Sequence, residues 1–97
     1  MVKFTEEKEK LICSFSGRLD STNCIKWEEN LLEKIAEAGT PVVFNLEKVN
    51  YIASGFLRIC LQASKKVKPE NFLIVGACSY TKKVFKISQL DKQLNVK

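Results

Sequence analysis

Two short apolar runs, separated by a longer apolar segment, constrain the fold of this chain most. Residues 42–46 (VVFNL) and 72–75 (FLIV) are rich in β-branched and aromatic residues and predict buried strands. Between them, residues 56–67 are apolar on most faces and predict a helix that packs on the sheet and ends before Pro69. Because strand–helix–strand units form right-handed crossovers onto one parallel sheet, the pattern predicts an α/β domain.

A second strand–helix unit precedes this one. Residues 2–5 and 11–16 predict a hairpin whose second strand ends at Gly17. Apolar residues then recur at steps of three and four from residue 24 to residue 38, which predicts an amphipathic helix. Good N-cap residues (Ser, Thr, Asn) occupy positions 21–23 before it.

The rest of the chain completes the predicted sheet. Residues 47–53 predict a loop, and a last helix has its apolar positions at Val84, Ile87 and Leu90. Residues 94–96 predict an edge strand. We therefore expect a mixed β-sheet of four to five strands, with about three helices packed mainly on one face.

Length and hydropathy predict one domain outside the membrane. The 97 residues suffice for a single domain, residues 1–97, with a core of its own. No apolar stretch approaches the roughly 20 residues that span a bilayer. The N-terminal residues lack the apolar segment of a signal peptide. We expect a cytoplasmic protein without membrane contact.

The residue types exclude the common catalytic and metal-binding arrangements. The chain has no histidine, which removes Ser-His-Asp and Cys-His systems, and no cluster of Lys, Asp or Tyr replaces them. The four cysteines (Cys13, Cys24, Cys60 and Cys78) lie in apolar contexts without Cys-x-x-Cys spacing. We predict reduced, buried thiols, no metal site, no cofactor and no enzymatic activity.

The charge of the chain is uneven. Residues 1–50 carry 7 Lys and Arg against 9 Asp and Glu, whereas residues 51–97 carry 9 against 2. A basic half forms a solvated lysine face, or it attracts nucleic acid or an acidic protein surface. Because it contains one arginine, Arg58, and no basic stretch interleaved with aromatics, we do not expect a nucleic-acid partner.

Ser54 is the most informative single position, because it lies between the predicted loop and the most apolar helix. Its hydroxyl could cap that helix by accepting a backbone N–H. The same place also suits a phosphoserine, since unpaired N–H groups and the helix dipole favour an anion at a helix N-terminus. Residue types alone leave both interpretations open.

Three segments in order resemble the STAS domain, a family named after sulfate transporters and anti-sigma factor antagonists. The strand at residues 42–46 followed by residues 49–58 (VNYIASGFLR) is similar to the family's strand, loop and phosphorylated helix start. Residues 17–20 (GRLD) and 83–92 (KVFKISQLDK) resemble its Gly-x-Leu-Asp motif and its C-terminal helix. The resemblance covers nearly the whole chain and is best to free-standing bacterial antagonists, since the chain has no transporter segment.

The resemblance implies a function and a set of site residues. An antagonist of this kind binds an anti-sigma factor, which is also a serine kinase, and releases the sigma factor. Phosphorylation by that kinase ends binding, and a serine phosphatase restores it. Ser54 matches the phosphorylated serine, Asp20 the acidic residue beside it, and Asn45 the polar residue that ends the central strand. Without the resemblance, Asp20 is a helix-start residue and Asn45 a buried amide.

Departures from the family pattern leave an alternative open. Ala53 replaces the acid or serine that usually precedes the phosphorylated serine, and Gly55-Phe56 replaces a small residue followed by glycine. We expect Ala53, Gly55 and Phe56 to contact a partner, and Arg58 to reach a phosphate, a partner carboxylate or a surface salt bridge. The alternative is a constitutive protein-binding module without a phosphorylation switch. A small nucleic-acid or nucleotide binder is a third possibility.

Overall fold

One mixed sheet of four strands organises the computed structural model, which describes residues 2–97. In the strand order β1-β2-β3-β4, the first pair is antiparallel and the other two are parallel. The elements are β1 (Val2–Glu7), β2 (Lys10–Leu19), α1 (Ser21–Ala38), β3 (Val42–Ile52), α2 (Ser54–Val67), a 3₁₀ turn (Pro69–Asn71), β4 (Phe72–Val75) and α3 (Ser79–Ile87). The predicted α/β class is confirmed. The predicted edge strand at residues 94–96 is reduced to one bridge between Ile74 and Val96.

The predicted hairpin forms, and its second strand is longer than expected. The β1–β2 turn consists of Lys8 and Glu9, whose φ angles of 50° and 64° are left-handed. A two-residue turn of this kind matches the twist of the two strands. The prediction that the strand ends at Gly17 is wrong, because β2 continues to Leu19. Gly17 instead adopts a φ of 83° next to a shift in the β2–β3 register.

β3 also continues through a segment that was predicted to be a loop. Two register shifts each insert one extra residue of β3 relative to β2. The buried side chains are therefore two residues apart at Val42, Phe44 and Leu46, but three apart from there to Val49 and Ile52. Because period-two alternation is the signal for a strand, these bulges hid the second half of β3 from the sequence.

Four phenylalanines join α2 to the centre of the sheet. The ring centroids of Phe15 in β2 and Phe44 in β3 are 4.9 Å apart, and Phe56 of α2 lies 5.2 Å from Phe15. Phe72 of β4 lies 4.8 Å from Phe44. These three contacts are edge-to-face, and such pairs contribute about 0.5–1.5 kcal/mol each beyond their burial. They hold the first turn of α2 in a fixed place above β2 and β3.

The starts of the first two helices differ from the prediction. Asp20, rather than one of residues 21–23, is the N-cap of α1. Ser54 is the first residue of α2 and not its cap, because the N-cap position belongs to Ala53. The capping interpretation of Ser54 is therefore wrong, and its hydroxyl is left for other uses.

α3 is shorter than predicted and faces the core differently. Its buried residues are Thr81 and Phe85, one turn apart, and it ends before Leu90. Ile87, predicted to lie on the core-facing side, is exposed because it lies on the opposite side of the helix from Phe85. None of the helices in residues 2–97 combines the length and apolarity that a membrane crossing requires.

Candidate protein-interaction site

The carboxyl ends of β2 and β3 bring two helix N-termini together. Leu19 pairs with Ile52 where both strands end, and the Ala53 N–H donates to the Leu19 carbonyl oxygen at 3.0 Å. α1 and α2 begin immediately afterwards. A Cβ on Gly55 would lie 3.1 Å from Ser21 Oγ. Glycine at this position therefore lets the first turns of the two helices touch.

Ser54 lies at the exposed start of α2. The N-cap before it, Ala53, makes no side-chain hydrogen bond to the helix. The first N–H groups of a helix lack intrahelical acceptors, and the helix dipole places positive partial charge there. An anion carried on Ser54 Oγ would therefore lie where the backbone is able to receive it.

Asp20 has a structural task at the same edge. Its Oδ1 accepts the Asn23 N–H at 2.9 Å, which caps α1, and its Oδ2 lies 3.3 Å from Arg18 Nε. The interpretation of Asp20 as a helix-start residue is correct. Asp20 also immediately precedes Ser21, the residue that contacts Gly55 in the first turn of α2. Its contact with a partner stays a prediction.

Asn45 is not brought into this site. It lies in the middle of β3, seven residues before the strand ends, which corresponds to about 20 Å along the strand. It is half-buried, and its Oδ1 accepts the Glu47 N–H at 3.0 Å. The prediction that Asn45 ends the central strand is wrong, because the strand continues through two bulges to Ile52. The amide stabilises the first of those bulges.

Phe56 and Arg58 project from α2 in different directions. Phe56 is fully buried, so its ring cannot touch a partner directly in this structure. Its effect on docking is limited to holding α2 in place. The Arg58 guanidinium lies 3.5 Å from Glu28 Oε1, and 62% of the Arg58 side chain is exposed. The surface salt bridge, one of the predicted alternatives, is formed one turn from Ser54.

A stack of side chains next to the site was missed by sequence reasoning. The Arg18 guanidinium carbon lies 4.0 Å from the centroid of the Tyr51 ring. Tyr51 in turn stacks on Tyr80 of α3, with centroids 6.2 Å apart and an interplanar angle of 18°. Arg18 and Tyr51 fall within two of the STAS-like segments, which was a usable signal. Nothing in the sequence pointed to Tyr80.

The cysteines are of two kinds. Burial raises the pKa of the Cys13 thiol to about 12 and, with help from Asp20, that of Cys24 to about 11. Burial also raises the pKa of Cys60 well above its ordinary value. The prediction of four buried thiols is wrong for Cys78, which is exposed at the start of α3. Hydrogen bonds from the backbone and hydroxyl of Thr81 lower the Cys78 pKa. Within residues 2–97, His, Cys, Asp and Glu form no group that could hold a metal ion.

These features define a class of α/β domain. In it, an exposed serine begins a helix whose N-cap side chain makes no hydrogen bond, and the start of a second helix lies beside it. The STAS domain family model matches residues 2–97, and the chain therefore belongs to the STAS domain family. Comparison with curated protein sequences found no match.

Several solved structures share this fold. Bacillus SpoIIAA in its phosphorylated form is 14% identical to this chain, and the two structures match with a TM-score of 0.73. The match covers 100% of this chain and 91% of the SpoIIAA chain. An anti-sigma factor antagonist from Mycobacterium paratuberculosis is 20% identical, with a TM-score of 0.84, and the match covers 99% of this chain and 83% of that one. A STAS domain protein from Planctomyces limnophilus is 21% identical, with a TM-score of 0.78, and the match covers 99% of this chain and 87% of that one. At these identities the matches establish a common fold.

Proposed function

We propose that this chain is a cytoplasmic, non-enzymatic anti-sigma factor antagonist that acts by phosphorylation-controlled partner switching. With Ser54 unmodified, it binds an anti-sigma factor that is also a serine kinase. Phosphorylation of Ser54 ends that binding, and a serine phosphatase restores it. Membership of the STAS family supports the proposal. The fold is also shared with SpoIIAA in its unphosphorylated form and with the Mycobacterium paratuberculosis protein, both described as anti-sigma factor antagonists.

One observation carries the proposal: an exposed serine that has no capping task begins a well-anchored helix. Ser54 is exposed, whereas Phe56, two residues later, is buried among the core rings. A kinase can therefore reach the hydroxyl without unfolding α2. The adjacent Gly55 has no side chain and Ser21 has a small one, so neither residue shields Ser54 from a partner.

The energetics favour a switch that changes binding and leaves the fold intact. Phosphorylation adds about −1.5 to −2 charges at the helix start. Within the free protein, the helix N-terminus stabilises that charge by only about 0.3–1 kcal/mol. At an interface, burying an unpaired charge costs several kcal/mol, and each 1.4 kcal/mol is about tenfold in affinity. We expect phosphorylation to weaken partner binding by about a hundredfold or more.

The test combines phosphorylation with binding. Each anti-sigma serine kinase encoded in the same genome is incubated with the chain and ATP, and the modified residue is located by mass spectrometry. Calorimetric titrations then compare wild type, Ser54→Ala, Ser54→Asp and a charge control, Thr5→Asp, on the exposed side of β1. Ser54→Ala and Thr5→Asp should bind like wild type, whereas Ser54→Asp should lose most of the affinity.

Two results would contradict the proposal in different ways. A wild type that binds one of these kinases, takes no phosphate at Ser54 and is unaffected by Ser54→Asp is a constitutive binding module. The alanine at position 53, in place of the family's acid or serine, is the feature that favours this second candidate. A wild type that binds none of the kinases is not an antagonist of the proposed kind.

A further inference from the structure

The outer face of α3 is both apolar and basic. Tyr80, Lys83 and Ile87 are three and four residues apart and therefore form a line along the helix. Tyr80 is 48% and Ile87 73% exposed, which makes both exposed large hydrophobic side chains. Lys82 and Lys86 are exposed beside them. These five residues, the α3 patch, have the composition of a binding surface, since exposed apolar groups are surrounded by charge.

The lysines of the α3 patch have no acidic partner within the described residues. The ion pairs in residues 2–97 are Arg18–Asp20 and Arg58–Glu28, and neither involves a residue of α3. α3 itself contains neither Asp nor Glu. Three like charges on nine residues create a positive field that is complementary to an acidic surface.

The α3 patch is continuous with the site around Ser54. Tyr80 stacks on Tyr51, and Arg18 lies over the ring of Tyr51. Arg18 also contacts Asp20, which immediately precedes the turn of α1 that touches α2. A partner that covers the start of α2 can therefore extend over the aromatic stack to α3.

A protein surface fits the α3 patch better than a membrane or a nucleic acid. The side of α3 with Thr81 and Phe85 is buried in the core, so only Tyr80 and Ile87 remain exposed, which is too narrow an apolar face to enter a bilayer. Phosphates could neutralise the three lysines, but a nucleic-acid backbone offers charged groups and no apolar depression to Ile87. An acidic protein surface with an apolar depression accommodates both residue types.

We propose that the α3 patch is the second half of the partner-binding surface and that it receives an acidic, apolar-pocketed surface of the anti-sigma kinase. This inference rests on the proposed function and adds the chemistry of the partner. Ile87 enters the apolar depression, and the three lysines face carboxylates around it. Three lysines of the basic half of the chain then bind a partner, in addition to forming part of the solvated surface.

The test is a titration of the kinase that binds wild type, with variants that separate the two halves of the surface. One variant reverses the patch charge (Lys82→Glu, Lys83→Glu and Lys86→Glu), and Ile87→Ser removes the apolar anchor. The matched control reverses three exposed lysines in the β1–β2 hairpin, at the other edge of the sheet (Lys3→Glu, Lys8→Glu and Lys10→Glu). Urea unfolding of each variant confirms that the fold is kept.

The charge-reversed patch should bind about tenfold or more weakly, and Ile87→Ser about fivefold more weakly. The control triple variant should bind like wild type. Wild-type affinity should fall as salt rises from about 0.05 to 0.5 M, and the patch variant should lose most of that dependence.

The outcomes distinguish this inference from the proposed function. If Ser54→Asp abolishes binding while the patch variants bind like wild type, the inference is overturned and the switch stands. If the patch variants lose binding while Ser54→Asp keeps it, the acidic partner stands and the switch does not. A wild type that binds no anti-sigma kinase overturns both. The wild type and the patch variant are also titrated with duplex DNA and with phosphatidylserine vesicles. If only the wild type binds one of these, while both bind the kinase equally, the inference is overturned.

Discussion

Gly76, in the turn between β4 and α3, is the glycine with the least surrounding space, and Gly76→Ala should destabilise the fold by about 2–3 kcal/mol. Its φ is 74°, a conformation that costs an L-residue about 1–2 kcal/mol. A Cβ there would also lie 2.9 Å from Asn45 Oδ1 and 3.0 Å from the Glu47 backbone nitrogen. The hydrogen bond between those two atoms would be displaced, at a further cost of about 1 kcal/mol.

Matched controls separate the backbone cost from the steric cost. Gly17 and Gly39 also have positive φ angles, 83° and 61°, but a Cβ on either meets nothing within 4 Å. Gly17→Ala and Gly39→Ala should therefore cost only the conformational part, about 1–2 kcal/mol. The measurement is the free energy of unfolding from urea titrations followed by far-UV circular dichroism.

A double-mutant cycle with Asn45→Ala isolates the clash with the Asn45 amide. Removing the amide eliminates the nearest obstructing atom, so Gly76→Ala should cost about 1 kcal/mol less in that background than in wild type. Glu47 is an exposed residue, and the contact of the new Cβ with its backbone nitrogen remains in both backgrounds. A Gly76→Ala variant that loses no more stability than Gly17→Ala, with no coupling to Asn45, would refute the close packing of this turn.

Three smaller predictions follow from the site. Asp20→Ala should lower the free energy of unfolding by about 1 kcal/mol because α1 loses its cap, whereas Asp20→Asn should keep most of the wild-type stability. Equal stability of the two variants in thermal melts would contradict the capping role. One thiol, that of Cys78, should react with a thiol reagent in the native protein, with a pH midpoint below that of a free cysteine thiol, since its pKa is lowered and it is exposed. The three buried cysteines should react only in denaturant, and native reactivity that persists in Cys78→Ser would be the contrary result. Arg58→Ala and Glu28→Ala should show a coupling of no more than about 0.5 kcal/mol in unfolding titrations, because their ion pair is exposed; a coupling above about 1 kcal/mol would contradict this.

Predictions from the sequence succeeded where the apolar spacing was regular. β4 and the first half of β3 were visible because buried strands are short and continuously apolar, and α1 because its stripe repeats every three to four residues. The second half of β3 was missed because two bulges changed its period from two to three. The exposure of Cys78 was missed because a cysteine in an apolar stretch gives no sign of which side of a turn it will occupy.

The sequence by itself determined the order of strands and helices, the family resemblance and the position of Ser54 at a helix start. These depend on local backbone geometry and on residue spacing, which act over a few residues at a time. Only the tertiary structure decided that Gly55 touches Ser21, that Tyr80 stacks on Tyr51 and that Asn45 lies far from the helix start. Those distances depend on strand register and on the packing of crossover helices, which join residues that are far apart along the chain.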